Sequence, residues 1–392
     1  MENLQSILEK LESVNAHLTK QNVRSVLILF HEKMIYLGDT VIRTSRIRLL
    51  NSFFTNATID ANIVDPSNAN YVDGLLKNNP YIRAITMKSW DDIDFAGYDL
   101  VIGSMYDEEA FLRYMYHRYN GFSNMTRPAI FSLSRWLLLP GDEKKARYVL
   151  PVHEELREHF TDMSTGELYI SPEEQAWADK WLEDKGLRPN EKLFVIVDNS
   201  KSKSKMMRIN VFYELLTFLL TRWNCKVLIF DENNIGKEDF YRELLSSKCF
   251  GQMIFSKKNT LREDLCLIGS SYTRLVLGPC TGLMHCASSI FNAYEAAGLE
   301  PEKVPVIITY TGRYELEEYC ANAWWQNCPL VDCLILKEKG NRKELLVLND
   351  IEESQRDIFD QLPTNQYEAK MLIDFVSSRL LKCDQPYLSF TI

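Results

Sequence analysis

Three turns in the sequence carry side chains that could do chemistry, and each follows an apolar run of the kind found in buried strands. The first turn, Gly38-Asp39-Thr40, comes after Val26–Phe30. A carboxylate at the end of a strand can accept a proton from a substrate hydroxyl, so Asp39 is a candidate general base. The same aspartate could instead cap the amide groups of a following helix. The local pattern by itself favours the capping role.

The second turn, residues 198–208, gathers four cationic side chains and three serines within an acidic protein. It follows the apolar run Phe194–Val197 and precedes a segment, Val211–Leu220, that is apolar enough for a packed helix. Hydroxyls, backbone amides and lysine ammonium groups commonly hold phosphates above the end of a strand. A solvated loop without a ligand explains the same composition, so the residue pattern leaves both alternatives open.

The third turn, residues 278–287, contains the pair Thr281-Gly282 at the predicted start of a helix. The amide groups at a helix N-terminus carry about half a positive charge and can bind a diphosphate. His285 lies four residues after Thr281, so both side chains can share one side of the first helical turns. A single histidine is more often structural, but this one follows a glycine turn at the end of a strand.

The elements that must position these turns alternate between apolar runs and helix-length segments. This alternation is typical of α/β units with parallel sheets. The runs form two series, which predict two doubly wound domains facing one another. The first series is 26–30, 57–64, 98–103 and 128–133, and the second is 194–197, 226–230, 274–277 and 304–309.

The domain boundary is predicted near residue 180. Ser171 followed by Pro172 is typical of a helix start, and Gly186 followed by Pro189 is typical of a helix end that leads into a hinge. We therefore expect an N-terminal domain over 1–180, opened by an amphipathic helix within 4–18 that docks on the body. A C-terminal domain over 181–350 and a helical tail over 351–392, packed back on the body, complete the prediction.

Composition limits the classes of protein. The chain has 392 residues, 46% of them hydrophobic and 25% charged, which is typical of a globular protein of about two domains. A formal net charge of −9 disfavours a broad basic surface for nucleic acid. No apolar run is long enough to span a bilayer, and residues 1–20 lack the apolar block of a signal peptide. We expect a cytoplasmic protein.

Cysteines and familiar motifs exclude further classes. The nine cysteines all lie beyond residue 224 and suggest no paired framework, as expected of reduced thiols. The glycine motifs of dinucleotide oxidoreductases, phosphate-loop NTPases and serine hydrolases are missing from the sequence. Asp92-Ile93-Asp94 has the form of a metal-binding pair, but it belongs to an acidic connecting segment, so no metal site is expected.

The three turns, in this order and at these separations, resemble glycosyltransferase family 9, the ADP-heptose:lipopolysaccharide heptosyltransferases. The resemblance rests on Leu37-Gly38-Asp39-Thr40, on the strand, loop and helix from Val195 to Leu216, and on the turn Thr281–Ala287. The Leu-rich segment Thr260–Leu265 and the strand Leu275–Leu277 precede that turn, as in the family. The resemblance spans about residues 23–312.

The resemblance implies the GT-B fold, in which two Rossmann-like domains face each other across a cleft. It also implies metal-independent, inverting transfer of heptose or another sugar from a nucleoside diphosphate, here ADP-linked, with no cofactor. Asp39 matches the family's general base. Donor-binding roles are implied for Ser200, Lys205, Glu232 (toward the ribose), Thr281, Gly282, Leu283 and His285.

The acceptor is harder to predict from the residues. Arginines suit phosphate and carboxylate groups, and tyrosine faces suit sugar rings. Such residues crowd the segment 112–136, where Arg113, Arg118 and Arg135 are candidates for binding an anionic glycolipid or another saccharide. Solvated helix faces are the alternative explanation. The expected partners are thus a nucleotide sugar and a surface-glycan acceptor at the inner face of the membrane, with at most peripheral membrane contact and no nucleic acid.

One departure from the family pattern supports other functions. Cys280 stands where the family has an aspartate. A nucleotide-sugar-binding protein that has kept the fold without catalysis is therefore an alternative to a transferase. A nucleotide-sugar epimerase, which shares the two-domain plan, is another.

Overall fold

The computed structural model describes residues 2–30, 37–44, 46–104, 108–132, 152–159, 166–231, 234–313, 328–340, 342–352 and 361–384. The chain forms two compact units, Met1–Gly166 (unit 1) and Glu167–Ile392 (unit 2). In the described residues, each unit is built on one sheet with helices packed against it.

Sheet A of unit 1 has five described strands: β1 (Ser25–Phe30), β2 (Thr58–Ile63), β3 (Ile82–Thr86), β4 (Leu100–Ser104) and β5 (Ala129–Ser132). Their order in space is β3-β2-β1-β4-β5, and all neighbours are parallel. The central strand β1 is buried from Val26 to Phe30, because helices cover both faces of such a sheet. The apolar run that predicted β1 is explained by this two-sided burial.

The described helices of unit 1 are α1 (Leu4–Asn15), α2 (Leu37–Thr44), α3 (Arg46–Phe53), α4 (Ala69–Leu76), α5 (Glu108–Arg118) and α6 (His153–His159). The amphipathic helix α1 docks on sheet A, where Leu8 and Leu11 share a buried cluster with Ile130 of β5. At its end, the amide of Asn15 donates to the carbonyl oxygen of Ile130 (3.1 Å) and accepts from the Ile130 N–H (3.0 Å). The helix α1 therefore provides hydrogen-bond partners for both backbone groups of Ile130 in β5.

Sheet B of unit 2 has seven described strands: β6 (Lys192–Ile196), β7 (Cys225–Asp231), β8 (Met253–Lys257), β9 (Thr273–Pro279), β10 (Val306–Tyr310), β11 (Val331–Lys339) and β12 (Arg342–Val347). Their order is β12-β11-β10-β9-β6-β7-β8. The pairs are parallel except β11 with β12, which is antiparallel. Both sheets are thus doubly wound, with the first strand of each in the interior.

The described helices of unit 2 are α7 (Pro172–Asp184), α8 (Ile209–Arg222), α9 (Lys237–Leu244), α10 (Ser247–Phe250), α11 (Leu261–Ile268), α12 (Gly282–Ala296) and α13 (Ala369–Asp384). The helix α13 packs on α8, and Leu372 and Val376 are buried in one cluster with Leu216 and Leu219. The described part of the tail, 361–384, therefore belongs to the core of unit 2.

The helix α7 explains where the chain divides. It begins where the sequence predicted, with the hydroxyl of Ser171 accepting from the N–H of Glu174 in a capping box. Glu174 forms an ion pair of 2.5 Å with Arg262 of α11, and both side chains are largely buried. These contacts place α7 in unit 2. The division between Gly166 and Glu167 therefore precedes the boundary at 180 drawn from the sequence.

The described residues contain neither a candidate membrane-spanning helix nor a candidate metal cluster. No helix in this part of the chain combines the length and apolar character needed to cross a bilayer. Likewise, no described group of three or more histidine, cysteine or acidic side chains is arranged to hold a metal ion. Seven cysteines whose side chains are described are buried and form no disulfide with one another: Cys225, Cys249, Cys266, Cys280, Cys286, Cys328 and Cys333.

Candidate functional site

Neighbouring strands bring the second and third turns together. The strands β6 and β9 pair in parallel, with Ile196 opposite Leu277, so the chain leaves both at the carboxyl edge of sheet B. On its other side β6 pairs with β7. The strand order therefore reverses at β6, and ligands of open α/β sheets bind at such a reversal, outside the carboxyl ends of the strands.

The close approach of these strand ends requires Gly278. A Cβ atom at this position would lie 2.6 Å from the Cβ of Val197 and 3.0 Å from its carbonyl oxygen. Any larger residue would push the two ends apart. Gly278 thus sets the spacing at which the loop after β6 meets the turn after β9.

Lys205 reaches from that loop to that turn. It is the last residue of a short 3₁₀ turn, Lys203–Lys205, and precedes α8. Its Nζ donates a hydrogen bond of 3.2 Å to the carbonyl oxygen of Cys280. The contact places a positive charge beside the N-terminus of α12, which itself attracts anions.

Thr281 is the N-cap residue of α12, but its side chain does not cap the helix. Its backbone is extended, and its Oγ1 is buried without a hydrogen-bond partner. An N-cap threonine usually accepts from an amide of the first turn. A diphosphate oxygen here would accept from the hydroxyl and from the amides of Gly282 and Leu283. The end of α12 is therefore a candidate anion site.

His285 lies one turn further along α12 and is 9% exposed. Burial, and secondly the positive charge of Lys205, lower the pKa of His285 to about 3. The imidazole is therefore neutral at physiological pH, and Lys205 is close enough to influence it. A neutral imidazole offers one N–H donor and one acceptor. The structure thus brings Lys205 close to Thr281 and His285, so the basic second turn and the third turn lie side by side.

The serine hydroxyls of the loop after β6 form contacts within that loop. The Oγ of Ser200 accepts a hydrogen bond of 3.3 Å from the N–H of Ser202, and the Oγ atoms of Ser202 and Ser204 lie 2.6 Å apart. These contacts are of the local kind that serines make in turns. A donor contact of Ser200 stays a prediction.

An ion pair that the sequence did not reveal borders the site. Asp198, just after β6, accepts from Lys237 Nζ at 2.5 Å and from the hydroxyl of Tyr241 at 2.9 Å. Lys237 also donates to the carbonyl oxygen of Phe230 at 2.7 Å. Burial, and then Asp198, raise the pKa of Tyr241. These contacts tie the ends of β6 and β7 to α9, and no sequence motif joins residues so far apart in the chain.

A second unforeseen contact comes from the C-terminal part of the chain. Thr364 is 1% exposed, and its Oγ1 lies 2.5 Å from the carbonyl oxygen of Ser204 and 3.1 Å from that of Met206. It belongs to no motif that sequence reading could single out. The loop that carries Lys205 is therefore held by residues from a distant segment.

Several predicted residues fall wholly or partly outside the described residues. Asp39 lies in the first turn of α2, but its side chain is not among those described. Glu232 and Arg135 lie outside the described ranges altogether. Their roles stay predictions.

The described arginines of the predicted acceptor set are engaged within unit 1. Arg113 donates to Glu109 (2.8 Å) and to the carbonyl oxygen of Glu2 (3.0 Å). Arg118 donates to the carbonyl oxygens of Trp90 (2.7 Å) and Ile93 (2.9 Å), in the connection that leads into β4. That connection runs from the carboxyl end of β3 to the amino end of β4, and it engages the guanidinium of Arg118 within unit 1. These contacts argue against an acceptor role for Arg118, which stays a prediction.

Comparison with known proteins supports the fold assignment. No family profile matches the sequence, and no curated protein matches it. The E. coli ADP-heptose lipopolysaccharide heptosyltransferase II has a similar structure, with a TM-score of 0.58 and 12% identity over 91% of this chain and 99% of the other. A family 9 glycosyltransferase from Veillonella parvula DSM 2008 gives 0.58 and 13% over 94% and 99%. The chain therefore has the GT-B fold of these glycosyltransferases, with two doubly wound α/β domains.

Proposed function

We propose that unit 2 binds the diphosphate of a nucleotide sugar at the carboxyl edge of sheet B, and that the chain transfers the sugar to an acceptor hydroxyl. The observation that carries this proposal is the contact between Lys205 and the turn that opens α12. It puts a lysine charge, an unpartnered threonine hydroxyl and a helix N-terminus at one place on a glycosyltransferase fold.

The diphosphate would be bound by these groups together. Lys205 and the amides of Gly282 and Leu283 would bind its oxygens, with Thr281 Oγ1 as a further donor. The neutral His285 would add a hydrogen bond, Ser200 another, and Glu232 would reach the ribose. The E. coli neighbour is named for ADP-heptose, so ADP is the first nucleotide to test, with heptose or another sugar attached.

The proposed reaction is an inverting displacement that requires no metal. As the glycosidic bond to the diphosphate breaks, charge develops on a phosphate oxygen, and the preorganised Lys205 and helix amides stabilise it. Asp39 would accept the proton of the attacking acceptor hydroxyl on the opposite face of the sugar. Transfer that persists in EDTA would support the absence of a metal.

The proposed acceptor is a lipopolysaccharide-type glycan or another surface saccharide, met at the cytoplasmic face of the membrane. Arg113 and Arg135 remain candidates for its anionic groups. Contact with the membrane would then be peripheral. Vesicle flotation with and without the glycolipid acceptor would test this setting.

The donor site is tested by binding ADP, UDP and GDP to the full chain. A ligand at about 100 times its dissociation constant adds about 2.7 kcal/mol to stability, which a thermal-shift measurement detects. Lys205→Met should weaken the binding of the preferred nucleotide about tenfold or more, since a hydrogen bond to a charged group is lost. Lys203→Met removes an exposed lysine of the same loop and should leave binding unchanged. Equal effects of the two substitutions would contradict the proposal.

A catalytically silent binding protein is the second candidate, because Cys280 replaces the aspartate of the family pattern. Asp39→Asn separates the two functions. For a transferase, we expect turnover to fall about 100-fold or more while ADP affinity changes less than twofold. A silent protein would bind ADP and release none from a nucleotide sugar supplied with acceptor. Conversion of the donor without any acceptor would indicate an epimerase.

A further inference from the structure

A short C-terminal segment, residues 361–367, lies beside β11 beyond the carboxyl end of β10 and contacts the loop of Lys205, and we call it the strap. The N–H of Leu362 donates to the carbonyl oxygen of Leu336 in β11 at 2.7 Å, and the N–H of Arg313, just after β10, donates to the carbonyl oxygen of Leu362 at 3.3 Å. Gly312 permits this approach, because a Cβ there would lie 2.5 Å from the Leu362 oxygen. The strap is thus fixed to two strands.

Tyr367 fixes the other end of the strap. It is fully buried, and its hydroxyl lies 2.7 Å from the carbonyl oxygen of Thr311 and 2.8 Å from that of Leu334. The helix α13 begins two residues later and packs on α8, the helix that follows the lysine loop. The strap is therefore anchored at both ends beside the loop.

Thr364 connects the strap to the loop. Its buried hydroxyl lies within hydrogen-bond distance of the carbonyl oxygens of Ser204 and Met206, which flank Lys205 in the sequence. At the other end of Lys205, the side-chain Nζ donates a hydrogen bond to the carbonyl oxygen of Cys280. Lys205 is thus held on both sides of its backbone and at its ammonium group.

We propose that Thr364 is a positioning residue, which fixes the backbone of Lys205 so that the ammonium group meets the donor diphosphate. The inference rests on the proposed function of this site. The loop is polar and largely exposed, and such loops sample many conformations unless they are anchored. Fixing the loop before the ligand arrives removes an ordering cost from binding.

The test measures the affinity of the full chain for ADP by calorimetric titration. Thr364→Val removes the hydroxyl with little change of shape, and we expect ADP binding to weaken about three- to tenfold. Thr364→Ser keeps a hydroxyl and should bind within twofold of the original chain. Thr273→Val is the matched control, since it removes a buried threonine hydroxyl bonded to the carbonyl oxygen of Ile268 (2.9 Å) at the opposite end of β9. Its ADP affinity should be unchanged.

A double-substitution cycle separates positioning from general destabilisation. In a Lys205→Met background, Thr364→Val should weaken ADP binding less than twofold, because the group it positions is gone. A full three- to tenfold loss there would overturn the inference. If Thr364→Val does not fold, Tyr367→Phe, which loosens the strap, should weaken ADP binding in the same direction, and unchanged binding would overturn the inference.

Hydrogen exchange on the ligand-free chain distinguishes failure of this inference from failure of the proposed function. Amides 201–206 should exchange faster in Thr364→Val than in the original chain and in Thr273→Val. Unchanged exchange would overturn the inference. If the original chain binds no nucleotide while exchange is accelerated, the proposed function fails, and anchoring of the loop by Thr364 still holds.

Discussion

At the residue scale, the charge of Lys205 and the neutrality of His285 belong to one electrostatic arrangement. A buried imidazole beside an ammonium group stays uncharged, because protonation would place two cations together away from water. The site therefore offers an anion one lysine charge and the end of α12, together with neutral donors. Neutral donors can bind a diphosphate oxygen without adding to the repulsion between cations.

This arrangement predicts how stability depends on pH. The pKa of His285 is about 3 in the folded chain and about 6.5 in an ordinary histidine. As pH falls below 6.5, the unfolded chain takes up a proton that the folded chain excludes, so the free energy of unfolding decreases. Between pH 6.5 and 5, this histidine should lower the free energy of unfolding by about 2 kcal/mol. His285→Gln should remove that part of the pH dependence in urea unfolding.

The control for this prediction is an exposed histidine. His117→Gln, on the exposed face of α5, should leave the acid dependence of the original chain in place. If His285→Gln and the original chain lose stability in parallel between pH 6.5 and 5, the imidazole is not kept neutral by its surroundings.

At the scale of elements, two-sided burial explains several of the strands that were predicted from the sequence, although the outer strand β5 was predicted as well. The interior strands β1 and β9 are buried almost throughout, so their sequences are continuous apolar runs. The outer strands β3 and β12 are partly exposed and contain charged residues, and neither was predicted from the sequence. The largely buried strand β11 was not predicted either. The missed strand β8 alternates between buried and half-buried positions at the other end of sheet B. An outer strand has a neighbouring strand on one side only. More of the residues in β3 and β12 are therefore exposed, and their sequences are less uniformly apolar.

The same reasoning applies to the candidate site. Lys205 and Thr281 follow neighbouring interior strands, and turn chemistry at such strand ends is visible in sequence. Thr364 is different, because its contact depends on where the chain returns after β12. No local pattern encodes that return path. Asp198 likewise pairs with Lys237 through tertiary packing alone.

The contact of α1 with the outer strand β5 should contribute measurably to the free energy of unfolding. Asn15 of α1 is fully buried and satisfies both backbone groups of Ile130. Asn15→Leu leaves those groups without their partner, and we expect unfolding of the full chain to become easier by about 2–4 kcal/mol. Asn3→Ala removes the exposed cap of the same helix, where the Asn3 oxygen accepts from the N–H of Gln5, and should cost about 1 kcal/mol or less. Similar losses for the two variants in denaturant unfolding would contradict this role of Asn15.

At the scale of the whole molecule, the described residues of the proposed donor site all belong to unit 2. Lys205 lies in the loop after β6, and Thr281 and His285 lie at the start of α12. Thr364 contacts the loop of Lys205 from the C-terminal segment. Unit 2 also has its own buried core, formed by α8, α13 and the central strands. Domains with a core of their own usually fold without the rest of the chain.

We therefore expect residues 167–392, expressed alone, to fold and to bind ADP within about threefold of the affinity of the full chain. Cooperative thermal unfolding and calorimetric titration would measure both properties. Transfer should be lost in this fragment, because Asp39 and the candidate acceptor arginines lie in unit 1. The matched fragment 167–360, without the strap and α13, should lose ADP binding, because Thr364 no longer holds the loop and α8 loses its packing partner. Retained affinity in the shorter fragment would contradict the dependence of the site on the C-terminal segment.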